Sequence, residues 1–167
     1  MMTKAFLRFV VIATAAMFIL PYQAHAQIRT FRIAFNTPDM ASPQIAYALK
    51  LLQKEAEVLG ATIFPQDGKG SAVQQSGDLM NSINMGLDGI ILVPNDEDAL
   101  SPTVSDVLAA NMPIVSIGYR LKGVDMPLCQ LGDTEQNTGL TEQASTALKA
   151  LVSYLRDKKP LQAAESK

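Results

Sequence analysis

Cysteine, histidine and tryptophan are almost absent from this chain. Cys129 is the single cysteine and His25 the single histidine, and there is no tryptophan among the 167 residues. One cysteine cannot form an internal disulfide, and the two residues together lack the spacing of a zinc site. We therefore interpret Cys129 as a small buried apolar residue, and we expect neither a metal site nor a cofactor.

Long apolar runs are also missing, apart from one near the start of the chain. Residues 9–20 are apolar except for one threonine; Lys4 and Arg8 precede them, and the small-x-small tripeptide Ala24–Ala26 follows. At about 1.5 Å per residue the run is too short for a hydrocarbon core of about 30 Å. The pattern predicts a cleaved secretory signal over residues 1–26. The alternative is an uncleaved membrane anchor.

The chain also lacks an excess of positive charge. Without Lys4 and Arg8, 12 of the 14 basic residues remain against 16 acidic residues, which gives a net charge of −4. A mildly acidic chain without a basic stripe argues against nucleic acid as a partner. Because the single histidine lies in the predicted signal, residues 27–167 cannot contain a Ser–His or Cys–His catalytic pair.

Strands and helices alternate from residue 31 onward, which predicts an α/β fold with a doubly wound parallel sheet of the flavodoxin-like kind. Strands are predicted at residues 31–35, 61–64, 89–93, 113–117 and 128–131. Helices are predicted from Ser42-Pro43 to Leu59, from Ser71, from Ser101-Pro102, and from Glu135 to Arg156. The expected inner positions are Val73, Met80, Ile83 and Leu87 near the second helix, and Leu140, Ala144, Ala147, Leu148, Leu151 and Leu155 on the last.

Polar side chains follow the first and fourth predicted strands, at the edge where open α/β sheets bind ligands. Amides, carboxylates and a guanidinium hydrogen-bond to hydroxyl groups, and an aromatic ring covers C–H surface. The mixture suits a polyhydroxylated small molecule, although ordinary polar loops would look similar. The candidate ligand-binding residues are Asn36, Thr37, Asp39, Ser42 and Gln44 in the first loop, and Tyr119 and Arg120 in the fourth.

Several motifs resemble the periplasmic sugar-binding proteins of the ribose and galactose type, which are related to the ligand domain of LacI-type repressors. Their order and spacing carry the resemblance across about a hundred residues. The motifs are Ile33–Phe35, Gln53–Gly60, Gly86–Pro94 with Asp96 and Asp98-Ala99, Ala110–Val115, and Gly132-Asp133.

The resemblance implies a non-enzymatic receptor with two α/β lobes, which binds sugar in a cleft and closes about a hinge to engage the permease of an ABC-type importer in the inner membrane. It implies a periplasmic location. By the same resemblance, residues 27–133 form the N-terminal substrate-binding lobe and residues 128–131 cross the hinge. Residues 134–157 form a helix that begins the second lobe, and residues 158–167 are a polar tail.

Two loops depart from the family pattern. Ribose-type members have two aromatic residues after the proline of the first loop, whereas Gln44 and Ile45 follow Pro43 here. After the fourth strand many members have Asp-Arg; here Tyr119 precedes Arg120, which is shifted by one position. We expect a pentose or hexose, with Tyr119 as the candidate replacement for an aromatic.

Full members of the family are roughly twice as long as residues 27–167. We therefore expect a truncated receptor that binds weakly, because one lobe contacts one side of the ligand. The last helix would lack a sheet to cover and would expose its apolar face. One alternative is a stand-alone exported interaction or sensing protein, which uses that helix for self-association or partner contact. Another is a small flavodoxin-like enzyme with Asp39 or Asp133 as base, which architecture alone supports.

Overall fold

The described part of the chain consists of alternating strands and helices. The computed structural model describes residues 30–118, 121, 123–124 and 139–164. The elements are β1 Phe31–Thr37, α1 Pro43–Leu59, β2 Ala61–Asp67, α2 Ala72–Asn84, β3 Gly89–Leu92, α3 Glu97–Ala109, β4 Ile114–Ser116 and α4 Leu140–Ala164. The predicted signal over residues 1–26 and the predicted strand at residues 128–131 lie outside the described residues.

The four strands form one parallel sheet in the order β2-β1-β3-β4. Central β1 pairs with β2 along its whole length, and its Ile33 and Asn36 lie opposite Gly89 and Leu92 of β3. The chain first adds β2 on one side of β1 and then adds β3 and β4 on the other. The sheet is therefore doubly wound, as predicted, and its topological switch point lies between β1 and β3.

Two apolar cores cover the opposite faces of this sheet. Along β1, Ile33 and Phe35 face the first core and Ala34 faces the second, because successive side chains of a strand point to opposite faces. Helices α1 and α4 supply the first core, and α2 and α3 supply the second. Strand β3 is fully buried, as its continuous apolar run predicts.

The last helix packs on this same sheet, so the expectation that it has no sheet to cover was wrong. Leu151 lies against β3, where a Cβ on Gly89 would be 3.0 Å from the Leu151 Cδ atoms. Between α1 and α4, the Ser145 hydroxyl donates to Glu55 Oε2 at 2.7 Å and accepts from Lys149 Nζ at 2.9 Å. The apolar face of α4 is covered by the first core. The buried residues of α4 are Ala144, Ala147, Leu148, Leu151, Val152 and Leu155.

Helix α3 begins earlier than the Ser101-Pro102 pair predicted. Its first residue is Glu97, and the Asp96 carboxylate caps it by accepting from the Ala99 N–H at 2.9 Å. A capping carboxylate satisfies free N–H groups and interacts favourably with the helix dipole. Because these acidic residues supply a complete start signal, Pro102 lies inside the helix.

The other predicted helix ends agree with the structure except for those of α4, which begins at Leu140 and not at Glu135. Gly60 caps α1 with φ 69°, and the Ser71 hydroxyl caps α2 by accepting from the Gln74 N–H. Helix α4 continues to Ala164 instead of ending near Arg156. No helix among the described residues has both the length and the apolarity that a membrane crossing requires.

The inner positions predicted for helix α2 are confirmed only in part. Leu87, just after the helix, is buried in the second core and Ile83 packs against it, as predicted. Val73 is 83% exposed and Met80 40% exposed, whereas Gln75, Leu79 and Ser82 are fully buried. Polar side chains can be buried when their hydrogen bonds are satisfied inside the protein. Two of the three buried residues of α2 are of this kind, and both make hydrogen bonds that lead to the carboxyl edge of the sheet.

Candidate functional site

Three loops meet at the carboxyl edge of the sheet, next to the switch point. They follow β1, β2 and β3. The Gly68 N–H donates to Thr37 O at 2.8 Å and the Gly70 N–H donates to Pro38 O at 2.7 Å, so the second loop lies along the first. This edge is where open α/β sheets form their ligand-binding crevice.

Amide side chains form a continuous hydrogen-bonded chain beneath these loops. Gln75 Nε2 donates to Asn36 Oδ1 at 2.8 Å, and Asn36 Nδ2 donates to Gln66 Oε1 at 3.0 Å. Gln66 Nε2 in turn donates to Ser82 Oγ at 2.9 Å, and the Asn95 N–H donates to Gln75 Oε1 at 2.8 Å. Burial of amides is costly unless they are paired. This network satisfies them and fixes the loops relative to one another.

The turn after β2 approaches the first loop very closely. A Cβ on Gly68 would lie 2.5 Å from Gln75 Cγ and 2.8 Å from Thr37 O, so only glycine fits there. Lys69 and Gly70 follow with φ 50° and φ 74°, both in the left-handed region. The chain thus turns sharply at the edge of the sheet before α2 begins.

The Asp67 carboxylate fastens the same turn to the first loop. Its Oδ1 accepts from the Lys69 N–H at 3.0 Å and from the Met40 N–H at 3.1 Å. These backbone donors, that of Lys69 first, hold the pKa of the Asp67 carboxyl below its ordinary value. The carboxylate is therefore ionised at neutral pH, and it holds the turn after β2 against the loop after β1.

The predicted site residues of the first loop divide into two groups. Asn36 and Thr37 are fully buried. The Asn36 amide belongs to the chain described above, and Thr37 Oγ1 donates to Gln66 O at 3.3 Å. Both polar groups therefore hold the loops in place instead of facing solvent.

Asp39, Ser42 and Gln44 form the second group. Asp39 and Gln44 are exposed and Ser42 is half-buried. Asp39 Oδ1 accepts from the Ala41 N–H at 2.8 Å. These three side chains lie at the rim of the edge, between β1 and the first turn of α1. The other two predicted residues, Tyr119 and Arg120, lie outside the described residues.

Sequence reasoning missed several residues of this edge, namely Gln66, Asp67, Gln75 and Asn95. Three of them follow predicted strands and could have been found by the rule that selected Asn36. Gln75 lies inside a helix, where a polar residue is ordinarily assigned to the solvent face. Its signal is the spacing of four residues to Leu79, which places both on the buried side.

The exposed groups of the rim suit hydrogen bonding to a small polar molecule. Asp39 accepts hydrogen bonds and Gln44 both donates and accepts. Asn95, in the loop after β3, is exposed as well. In the part of the chain that the structure describes, there is no group of three or more histidine, cysteine, aspartate or glutamate residues able to hold a metal ion. Such a rim can recognise hydroxyl groups through their donors and acceptors.

Comparison with known proteins finds three sequence relatives, all named as ribose-binding or xylose-binding proteins, while no family model matches. The ribose import binding protein of Bacillus subtilis is 26% identical over 89 residues, which are 53% of this chain and 29% of the relative. The D-xylose-binding periplasmic protein of Haemophilus influenzae is 20% identical over 133 residues, 80% of this chain and 40% of the relative. The chain thus spans less than half the length of either.

The fold is also shared with solved structures. The crystal structure of the Caulobacter myo-inositol binding protein bound to myo-inositol matches with a TM-score of 0.54 and 21% identity. The match covers 63% of this chain and 33% of that one. The motifs, the sequence relatives and the doubly wound fold agree, and they confirm that this chain resembles the periplasmic sugar-binding proteins over part of their length.

Proposed function

We propose that the carboxyl edge of the sheet binds a small sugar, and that the chain is the sugar-binding component of an ABC-type importer in the periplasm. The observation that carries the proposal is the polar rim at the switch point, with Asp39 and Gln44 exposed and Ser42 half-buried. The rim lies above the hydrogen-bonded amide frame. The ribose and xylose named for the relatives favour a pentose.

Recognition at this rim would require no chemical step. The Asp39 carboxylate accepts hydrogen bonds from sugar hydroxyls, and the Gln44 amide donates to and accepts from a neighbouring hydroxyl. Because the frame beneath is already ordered, little conformational entropy is lost on binding. The proposal is therefore a binding protein without enzymatic activity, and the permease of the importer is its proposed partner.

The affinity of this lobe alone should be weak. The described residues form one open edge, whereas sites for small molecules bury most of the ligand surface. A dissociation constant on the order of millimolar corresponds to about 4 kcal/mol, which a few hydrogen bonds can supply. Tyr119 and Arg120 remain proposed contacts from the fourth loop.

The last helix is a weaker candidate for partner contact than the sequence indicated. Its apolar face lies in the first core, against α1 and the sheet. Self-association through that face would require the helix to leave its own lobe. We therefore propose the rim, and not this helix, as the functional surface.

Titration of the isotope-labelled protein with D-ribose and D-xylose, followed by amide chemical shifts, tests the proposal. We expect shifts confined to the loops after β1, β2 and β3. Asp39→Ala and Gln44→Ala should each weaken binding by about tenfold, the equivalent of one hydrogen bond to a charged or polar group.

Gln53→Ala is the matched control. Gln53 is exposed on the same helix as Gln44 but lies more than two turns away, so its replacement should leave the affinity unchanged. An absence of shifts with both pentoses, or shifts centred on α4, would contradict the proposal.

A further inference from the structure

Gln75 of α2 lies where the segments of the carboxyl edge converge, and it is fully buried. Its Nε2 donates both to Asn36 Oδ1 at 2.8 Å and to Val93 O at 2.9 Å. Its Oε1 accepts from the Asn95 N–H at 2.8 Å. Three hydrogen bonds from one side chain therefore link the end of β1, the end of β3 and the loop that follows β3.

The loop after β2 is linked to the same side chain by packing. Gly68 is so close that a Cβ on it would lie 2.5 Å from Gln75 Cγ. Asn95, held by Gln75, donates from Nδ2 to Gly70 O at 3.0 Å. Gln75 thus contacts, directly or through Asn95, the end of β1, from which the first loop starts, and the loops after β2 and β3.

We propose that Gln75 is the positioning residue of the rim, which sets the relative placement of its three loops without touching the ligand. Its two amide hydrogens and its carbonyl oxygen all have protein partners, and no part of it is exposed. The inference rests on the proposed function for its connection to sugar binding, but the loop placement itself can be measured without a ligand.

Glutamine has the chemistry that this point requires. Two carbonyl oxygens need donors and one backbone N–H needs an acceptor, and an uncharged primary amide provides both at once. Methionine has nearly the same shape but offers neither donor nor strong acceptor. Glutamate keeps the acceptor for Asn95 but replaces the donors with a carboxylate oxygen facing Asn36 Oδ1 and Val93 O.

Amide exchange of the full chain, compared between Gln75→Met and Leu79→Ala, tests the positioning role. Leu79 is fully buried on the same helix and belongs to the second core, so its truncation lowers stability without removing a bond to the loops. With Gln75→Met, exchange of the Asn95 amide should accelerate at least about tenfold relative to amides of α3. With Leu79→Ala, the exchange rate of the Asn95 amide relative to the amides of α3 should stay as it is in the wild type. If this relative exchange rate changes equally in Gln75→Met and in Leu79→Ala, the proposal is overturned.

Gln75→Glu provides an independent answer if the methionine variant fails to fold. Burial beside two carbonyl oxygens raises the pKa of the introduced carboxyl, so acidification restores one donor. The amide shifts of Val93 and Asn95 should then move toward the wild-type positions as pH falls, a response that Leu79→Ala lacks. Loop shifts that do not depend on pH would contradict the role.

The pentose titration separates this inference from the proposed function. If D-ribose or D-xylose binds the wild type, Gln75→Glu should bind it at least about tenfold more weakly at neutral pH and regain affinity on acidification. If neither sugar binds the wild type, the proposed function fails. The exchange and shift measurements still decide whether Gln75 positions the loops.

Discussion

At the scale of single residues, Gly68 and Gly77 flank the start of α2 and have opposite surroundings. A methyl group on Gly68 would meet Gln75 Cγ at 2.5 Å and Thr37 O at 2.8 Å, whereas nothing lies within 4 Å of one on Gly77. Gly68→Ala should therefore lower the free energy of unfolding by about 1–3 kcal/mol through overpacking. Gly77→Ala should raise it by about 0.5–1 kcal/mol, because alanine favours helix. Urea unfolding measures both; equal effects would contradict the close approach at Gly68.

The stability of the fold should depend on pH through Asp67. Its pKa is lowered in the folded state by the Lys69 and Met40 N–H groups. The carboxylate therefore contributes stability that is present above the unfolded pKa of about 3.9 and is lost as pH falls through the lower folded pKa. Asp67→Asn keeps a neutral acceptor at every pH, so its free energy of unfolding should fall less than that of the wild type between pH 6 and pH 3.

Asp67→Ala is the control for this titration. Alanine accepts neither hydrogen bond at any pH, so this variant should be less stable than the wild type at pH 6 and should share the weaker acid response of Asp67→Asn. If both variants lose stability with acid as steeply as the wild type, the acid response belongs to other groups.

At the scale of elements, the apolar pattern predicted the strands well and the helix faces unevenly. Strand β3 was predictable because its apolar residues form a short continuous run bounded by polar loops. Strand β1 was predictable from its apolar residues Phe31 and Ile33–Phe35, although Arg32 interrupts them. The buried face of α2 was not, because Gln75 and Ser82 are buried for their hydrogen bonds, and those partners come from distant parts of the chain. The start of α3 was missed because the acidic residues that cap it also read as a loop.

The docking of α4 on the sheet can be tested at Gly89 and Leu151. Leu151→Ala removes buried contacts and should cost about 2–5 kcal/mol, and Gly89→Ala should cost about 1–3 kcal/mol because its methyl group meets Leu151 at 3.0 Å. In the double variant the methyl group enters the space that Leu151 leaves. The combined loss should therefore be smaller than the sum by about 0.5–3 kcal/mol, measured by urea unfolding.

Leu79→Ala supplies the control for this cycle. Leu79 is equally buried but belongs to the second core, on the opposite face of the sheet. The decrease in the free energy of unfolding caused by Leu79→Ala should add to that caused by Gly89→Ala within about 0.5 kcal/mol. Additivity for the Gly89 and Leu151 pair would mean that α4 does not rest on β3 as described.

At the scale of the whole molecule, the sequence was sufficient for the sheet, whereas the location of the site is still a prediction. The rule that ligands bind beyond the carboxyl ends of parallel strands selects the edge where Asp39 and Gln44 lie exposed. The amide frame could not be predicted, because it depends on the distance between α2 and β1 in the folded state. The position of α4 was missed for a related reason: an apolar helix face fits many apolar surfaces, and family resemblance assigned this one to a second lobe.

The two cores share the strands of one sheet, and this arrangement predicts a single cooperative unfolding unit. Ile91 of β3 packs in the first core, while Ile90 and Leu92 pack in the second. Loss of either helix layer therefore exposes strands that the other layer needs. Amide exchange measured at increasing urea should give the most protected amides of α2 and of α4 the same free energy of opening, equal to that of global unfolding. A lower value for all of α4, with a smaller urea dependence than that of global unfolding, would show instead that this helix detaches while the sheet stays folded.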